Sequence, residues 1–177
     1  MTRTREITVY TFDELSPAAK ERAADALRMF DNSDLMEEDA VDYADSLFEQ
    51  KHITWTPEND KKFVAYDMRS RQYAAATGRF SKENSSSNMY IKVENERDYP
   101  KYTLYANGEE YDLSYVEENK DKRGFKGLWK FYEELKKINN TVLKGLEAQY
   151  EYEMSEEYVR ELADANEYEF DERGRII

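Results

Sequence analysis

The segment from residue 125 to residue 150 constrains the fold most, because its large apolar residues recur every three or four positions. This spacing continues through Leu128, Phe131, Leu135, Ile138, Val142 and Leu146. The other side of the same segment carries Lys130, Lys136, Lys137 and Lys144. A stripe of this kind is typical of an amphipathic helix that buries one face. We therefore expect one long helix that packs across a sheet.

The clearest strand signal lies on both sides of Asn107-Gly108. This pair is preferred in a two-residue type I′ turn, where both central residues need positive φ. Aromatic and aliphatic residues alternate around it and predict inward or cross-strand side chains at Tyr102, Leu104, Tyr111, Leu113 and Tyr115. Four shorter runs between residues 53 and 93 also predict strands, namely "ITWT", "FVAYD", "RQYAAAT" and "NMYIKVE".

The two ends of the chain supply further predicted elements. "REITVYTF" alternates and predicts a first strand, and the helix after it has Ser16 as its N-cap and Pro17 at its first position. Ser155 caps a last predicted helix. Because the strands cluster and are joined by hairpins, we predict an α+β fold: one domain over residues 1–177, with a mostly antiparallel β-sheet covered by amphipathic helices.

Residues 31–60 concentrate negative charge, since ten of these thirty residues are acidic and Lys51 alone opposes them. We predict a helix over residues 31–50 with a buried stripe of Met36, Ala40, Ala44, Leu47 and Phe48. Its outward face carries Glu38, Asp42, Asp45 and Glu49, and Glu37 lies beside them. Like charges at these spacings cost a few tenths of a kcal/mol per pair. The acidic face therefore does not serve helix stability and is either a solvated face or a partner-binding surface.

The charge of the whole chain, −13 from 26 basic and 39 acidic residues, bears on its partners. Such a surface repels phosphates, so we expect no direct nucleic-acid binding. It attracts basic proteins, although an acidic excess also simply improves solubility. No apolar run approaches a membrane span and the first ten residues have no signal-peptide core, so we expect no membrane partner.

The sequence does not contain the residues that most common catalytic mechanisms require. The chain has no Cys, which excludes thiolate nucleophiles and zinc–thiolate sites. The one histidine, His52, is interpreted as a surface or helix-end residue, and "DNSDLMEEDAVD" lacks the glycine of a calcium-binding loop. We therefore expect a protein that is not an enzyme and that uses no metal or cofactor. A catalytic pair of carboxylates is the alternative left open.

A second surface is predicted where the charge reverses. Between Lys61 and Tyr90, six basic residues stand against two acidic ones. Arginine and tyrosine on strands can stack a nucleobase and pair with its phosphate. The candidate ligand-binding residues are Tyr66, Arg69, Arg71, Tyr73 and Arg79. The alternative interpretation is a tyrosine-rich core with solvated arginines.

Both ends of the chain resemble a known family. "ITVYTFDELSPAAKERAADAL" and "MSEEYVRELADANEYEFDERGRII" are similar to the N- and C-termini of small acidic proteins from tailed phages and prophages, sometimes labelled antitoxin-like. The similarity covers about the first fifty and last twenty-five residues, whereas the middle departs from many relatives. It implies a phage product in the host bacterial cytoplasm, and it brings no agreed catalytic motif.

These observations support one leading hypothesis and two alternatives. The leading one is a counter-defence, anti-CRISPR-like inhibitor. Its acidic face would mimic nucleic acid on a basic surface of a host immune protein. One alternative is a sponge that sequesters a nucleotide immune signal, in which a homodimer could form the site. The other is an antitoxin-like neutraliser of a basic toxin, which would use the same acidic face.

Overall fold

The computed structural model describes residues 8–28, 33–57, 63–64, 75–82, 88–97 and 99–177, without the side chains of 33–39 and 63–64. Its helices are α1 (Pro17–Arg28), α2 (Ser33–Gln50), α3 (Leu113–Glu118), α4 (Lys126–Glu153) and α5 (Glu156–Ala165), and a 3₁₀ turn covers Phe12–Glu14. Its strands are β1 (Ile53–Thr56), β2 (Phe63–Val64), β3 (Ala75–Ala76), β4 (Gly78–Lys82), β5 (Met89–Glu96), β6 (Tyr99–Ala106) and β7 (Glu109–Asp112).

Five of these strands form one sheet in the order β1-β4-β5-β6-β7, and every pairing in it is antiparallel. A short separate ladder joins β2 to β3. The β6–β7 hairpin turns at Asn107 and Gly108, whose φ values are 53° and 84°. The predicted two-residue turn with positive φ at both positions is confirmed.

The chain divides into two compact units, and Asp34–Glu147 is the larger. Its core lies between one face of the sheet and the helices α2 and α4. All six apolar residues predicted for the α4 stripe are buried there. They share the core with Phe80, Ile91 and Leu104 from the middle strands. The predicted long helix and its buried face are therefore confirmed.

The smaller unit comprises Met1–Ser33 and Ala148–Ile177. Its core joins α1 and α5 through Ala19, Ala23, Val159 and other buried residues. The Ser155 hydroxyl accepts a hydrogen bond from the Tyr158 backbone N–H at 3.2 Å and so caps α5 as predicted.

Three local predictions are wrong. Leu113 and Tyr115 lie in α3 and not in a strand, because the chain turns into a helix directly after Asp112. The described part of the predicted first strand makes a single bridge, from Tyr10 to Phe170, before the 3₁₀ turn begins. Strand β4 begins at Gly78, in a stretch for which the sequence predicted no strand.

The α+β class, with a mostly antiparallel sheet covered by amphipathic helices, is confirmed. One domain over residues 1–177 stays a prediction. Within the described part of the chain, no helix has the length and apolar character that a membrane span requires.

Candidate functional site

Helix α2 is held on the sheet by one face. Ala44 and Phe48 are fully buried, and Ala40 is nearly so. The Phe48 ring centroid lies 5.4 Å from that of Trp55 and 5.1 Å from that of Phe80. Aromatic contacts of this geometry add about 0.5–1.5 kcal/mol beyond the area they bury. The outward face of α2 is therefore presented on a well-anchored helix.

That outward face carries Asp42, Asp45 and Glu49, and all three are exposed. Helical geometry separates them along the axis by about 4.5 Å and about 6 Å. Among the described residues, no lysine or arginine lies within ion-pairing distance of any of the three. Glu37 and Glu38 belong to the same helix, but their side chains lie outside the described residues. The predicted outward position is thus confirmed for three of the four acids of the predicted outward face.

Some described carboxylates outside α2 are paired with cations. The Asp13 carboxylate accepts from the Arg160 guanidinium at 2.8 Å, and this hydrogen bond lowers the pKa of Asp13. Asp171 accepts from the backbone N–H of Arg175 at 3.0 Å and from its guanidinium at 2.7 Å. These bonds lower the pKa of Asp171 to about 2. The acidic face of α2 differs from both sites because no described cation compensates it.

His52 lies just beyond α2 with an exposed side chain and a φ of 53°. Its backbone N–H donates to the Glu49 carbonyl oxygen at 2.9 Å. A residue in the left-handed region at this position is a common way to end a helix. The position of His52 therefore agrees with the interpretation of a helix-end surface residue.

The second predicted surface is described only at Arg79. Tyr66, Arg69, Arg71 and Tyr73 lie outside the described residues. The Arg79 guanidinium carbon lies 3.8 Å from the ring centroid of Tyr90, a cation–π contact. Tyr90 stacks in turn on Tyr105, with their centroids 4.2 Å apart and an angle of 8° between the rings. Arg79 and Tyr90 therefore already contact each other, and the five predicted residues are not shown to meet.

Among the described side chains, no group of three histidine, aspartate or glutamate residues is arranged to hold a metal ion. Asp42, Asp45 and Glu49, whose side chains are described, therefore belong to no such group.

Comparisons with protein-family models, with curated proteins and with solved structures gave no match. The resemblance of the two ends to phage proteins stays a prediction.

Proposed function

We propose that this chain is a binding protein that is not an enzyme, and that Asp42, Asp45 and Glu49 on α2 dock against a basic surface of a partner protein. The observation that carries the proposal is the absence of compensating charge at these three carboxylates among the described residues. Repulsion between these carboxylates slightly destabilises the isolated helix. A bound cationic surface would offset this repulsion by attracting each carboxylate.

Two further features support a protein partner. Tyr43 neighbours these acids on α2 and is 45% exposed, and tyrosine is enriched at the energetic centres of protein interfaces. The net charge of −13 would also steer a basic protein toward this chain before contact. A single strand or duplex of nucleic acid would be repelled by the same charge.

The partner surface that we propose is a basic, nucleic-acid-binding surface of a host immune protein, on which the carboxylates of α2 take the place of phosphates. This would make the chain a phage counter-defence inhibitor acting in the bacterial cytoplasm, as the resemblance of its ends implies. A basic toxin as the partner is the alternative, and it would meet the same face.

Affinity capture from bacterial lysate, with quantitative identification of the captured proteins, tests the proposal. The wild-type chain is compared with D42K/D45K, which reverses the face. The matched control is E117K/E118K, which makes the same change of charge at two exposed acids of α3. We expect the wild type and the control to retain a basic protein that D42K/D45K loses.

The result is informative in both directions because the two double variants carry equal net charge. If D42K/D45K retains every protein that the wild type retains, α2 is not the binding face. If both variants lose the partner equally, overall charge and not this helix attracts it, and the proposed face is again wrong.

A further inference from the structure

A groove of about 510 Å³ lies within the larger unit, apart from the acidic face. The end of α2 forms one side through Leu47 and Lys51, and Lys82 at the end of β4 forms another. The middle of α4 completes it with Lys130 and Lys137. Its volume is within the range of pockets that hold small organic ligands, about 300–1,000 Å³.

The charge of this groove is opposite to that of the whole chain. It is lined by four lysines and two glutamates, Glu133 and Glu134. Glu134 pairs with Lys82 at 2.5 Å, which neutralises one charge of each sign. Lys51, Lys130 and Lys137 are exposed, and none of them has an acidic partner among the described residues. The groove therefore keeps a local charge of about +2 in a chain of net charge −13.

The lining also offers an apolar surface and neutral hydrogen-bonding groups. Ile138 is buried at 5% exposure and Leu47 is partly buried, and both contribute to the groove. Gln50 and Thr141 lie beside them. A few polar groups around an apolar surface are the usual composition of a small-molecule site. Lysines at the rim would meet the anionic part of a ligand, and the aliphatic residues its organic part.

We propose that this groove binds a small phosphorylated ligand the size of a mononucleotide. Lysine ammonium groups are common phosphate partners and act as point charges. The surrounding acidic charge is screened beyond about 8 Å at physiological salt, so the local lysines dominate for a compact anion. A nucleic-acid strand extends past that distance and would be repelled. The site is independent of the proposed function, because Asp42, Asp45 and Glu49 do not line the groove.

Isothermal titration of the full chain with adenosine diphosphate, inorganic pyrophosphate and adenosine tests this inference. We expect saturable one-to-one binding of the two phosphorylated probes and none of adenosine. K130E/K137E reverses two groove lysines and should weaken binding by about tenfold or more. The matched control, K136E/K144E, makes the same charge change on α4 at exposed lysines outside the groove and should bind within about threefold of wild type.

Thermal unfolding of each variant checks that the reversed lysines leave the fold intact, and we expect midpoints close to that of wild type. Three results would overturn the proposal. One is no saturable binding of either phosphorylated probe. Another is an equal loss in both double variants, since a diffuse field and not the groove would then be responsible. The third is binding of a hexaglutamate peptide without binding of the phosphorylated probes, since the groove would then take acidic peptides.

Discussion

At the residue scale, two positions require glycine, both because φ is positive there and because no space remains for a Cβ atom. Gly78 has a φ of 127°, and a Cβ there would meet the Thr56 carbonyl oxygen at 2.4 Å. Gly174 has a φ of 79°, and a Cβ there would meet the Ala19 carbonyl oxygen at 2.1 Å. Both neighbours are backbone atoms, which cannot rotate away. Only glycine therefore allows the backbone at Gly78 to pass so close to Thr56, and the backbone at Gly174 to pass so close to Ala19.

We predict that Gly78→Ala lowers the free energy of unfolding by about 2 kcal/mol or more, from strain at this φ and from the clash with β1. Gly124→Ala is the control, because nothing lies within 4 Å of a Cβ at that position. Its effect should stay within about 0.5 kcal/mol. Urea denaturation of both variants measures this. Equal midpoints and slopes for the two variants would show that Gly78 is not constrained as described.

Asp171 gives a prediction about pH. Its Oδ1 accepts from the backbone N–H groups of Arg173 and Arg175, at 2.9 Å and 3.0 Å. These bonds and the Arg175 guanidinium hold the pKa of Asp171 at about 2, below its ordinary 3.8. The ionised form is favoured by folding, so its contribution is present above the ordinary pKa and is lost as pH falls through about 2.

We therefore expect Asp171→Asn to be less stable than wild type near neutral pH, with a difference that narrows between about pH 4 and about pH 2. Urea denaturation at several pH values measures the narrowing. Glu172→Gln, at the exposed neighbouring residue, controls for the loss of one charge. If the difference in the free energy of unfolding between wild type and Asp171→Asn stays constant down to about pH 2, the ion pair and the backbone hydrogen bonds of the ionised carboxylate are not the cause of that difference.

At the element scale, prediction from sequence succeeded where apolar residues kept one regular spacing. It failed where a strand-like alternation of apolar residues ran into a helix. The α4 stripe was predictable because six apolar residues keep the helical spacing without interruption. α3 was missed because Tyr111, Leu113 and Tyr115 alternate as a strand would. In the structure the Tyr111 and Tyr115 rings stack with centroids 5.9 Å apart, and Phe125 packs against both. These tertiary ring contacts are not visible in a local pattern.

The candidate surfaces were predictable to different degrees. The acidic face of α2 follows from helical spacing alone, so its three described residues were found. The groove brings together α2, β4 and α4, which are distant in sequence. Lys130 and Lys137, two of the four lysines noted on α4, were one signal for it, but Lys82 could be added only once the position of β4 was known.

We predict opposite consequences for the two faces of α2. Phe48→Ala should lower the free energy of unfolding by about 3–5 kcal/mol, because it empties a fully buried aromatic contact. D42K/D45K should change it by no more than about 0.5 kcal/mol, since these residues are exposed and the reversed charges attract Glu49. Thermal and urea unfolding compare the two. A large loss in D42K/D45K would make the acidic face a structural feature and not a binding surface.

At the scale of the whole molecule, charge is distributed unevenly over the described residues. Ion pairs such as Arg160–Asp13 and Lys82–Glu134 compensate acids at several places. On α2 the three described acids remain without such partners, and in the groove the lysines outnumber the acids. Within a net charge of −13, the described residues therefore include two distinct charged surfaces, one acidic and one basic, for which we propose a cationic protein and a small anion as the respective partners.

The salt dependence of partner affinity tests the central claim most directly. The Kd of the captured partner is measured for wild type, D42K/D45K and E117K/E118K at about 0.1 M and about 1 M salt, where the screening length falls from about 10 Å to about 3 Å. We predict a Kd that rises steeply with salt for wild type and for E117K/E118K. For D42K/D45K we predict binding at least about tenfold weaker at low salt, with little further change. A D42K/D45K variant with the affinity and salt dependence of wild type would contradict the claim.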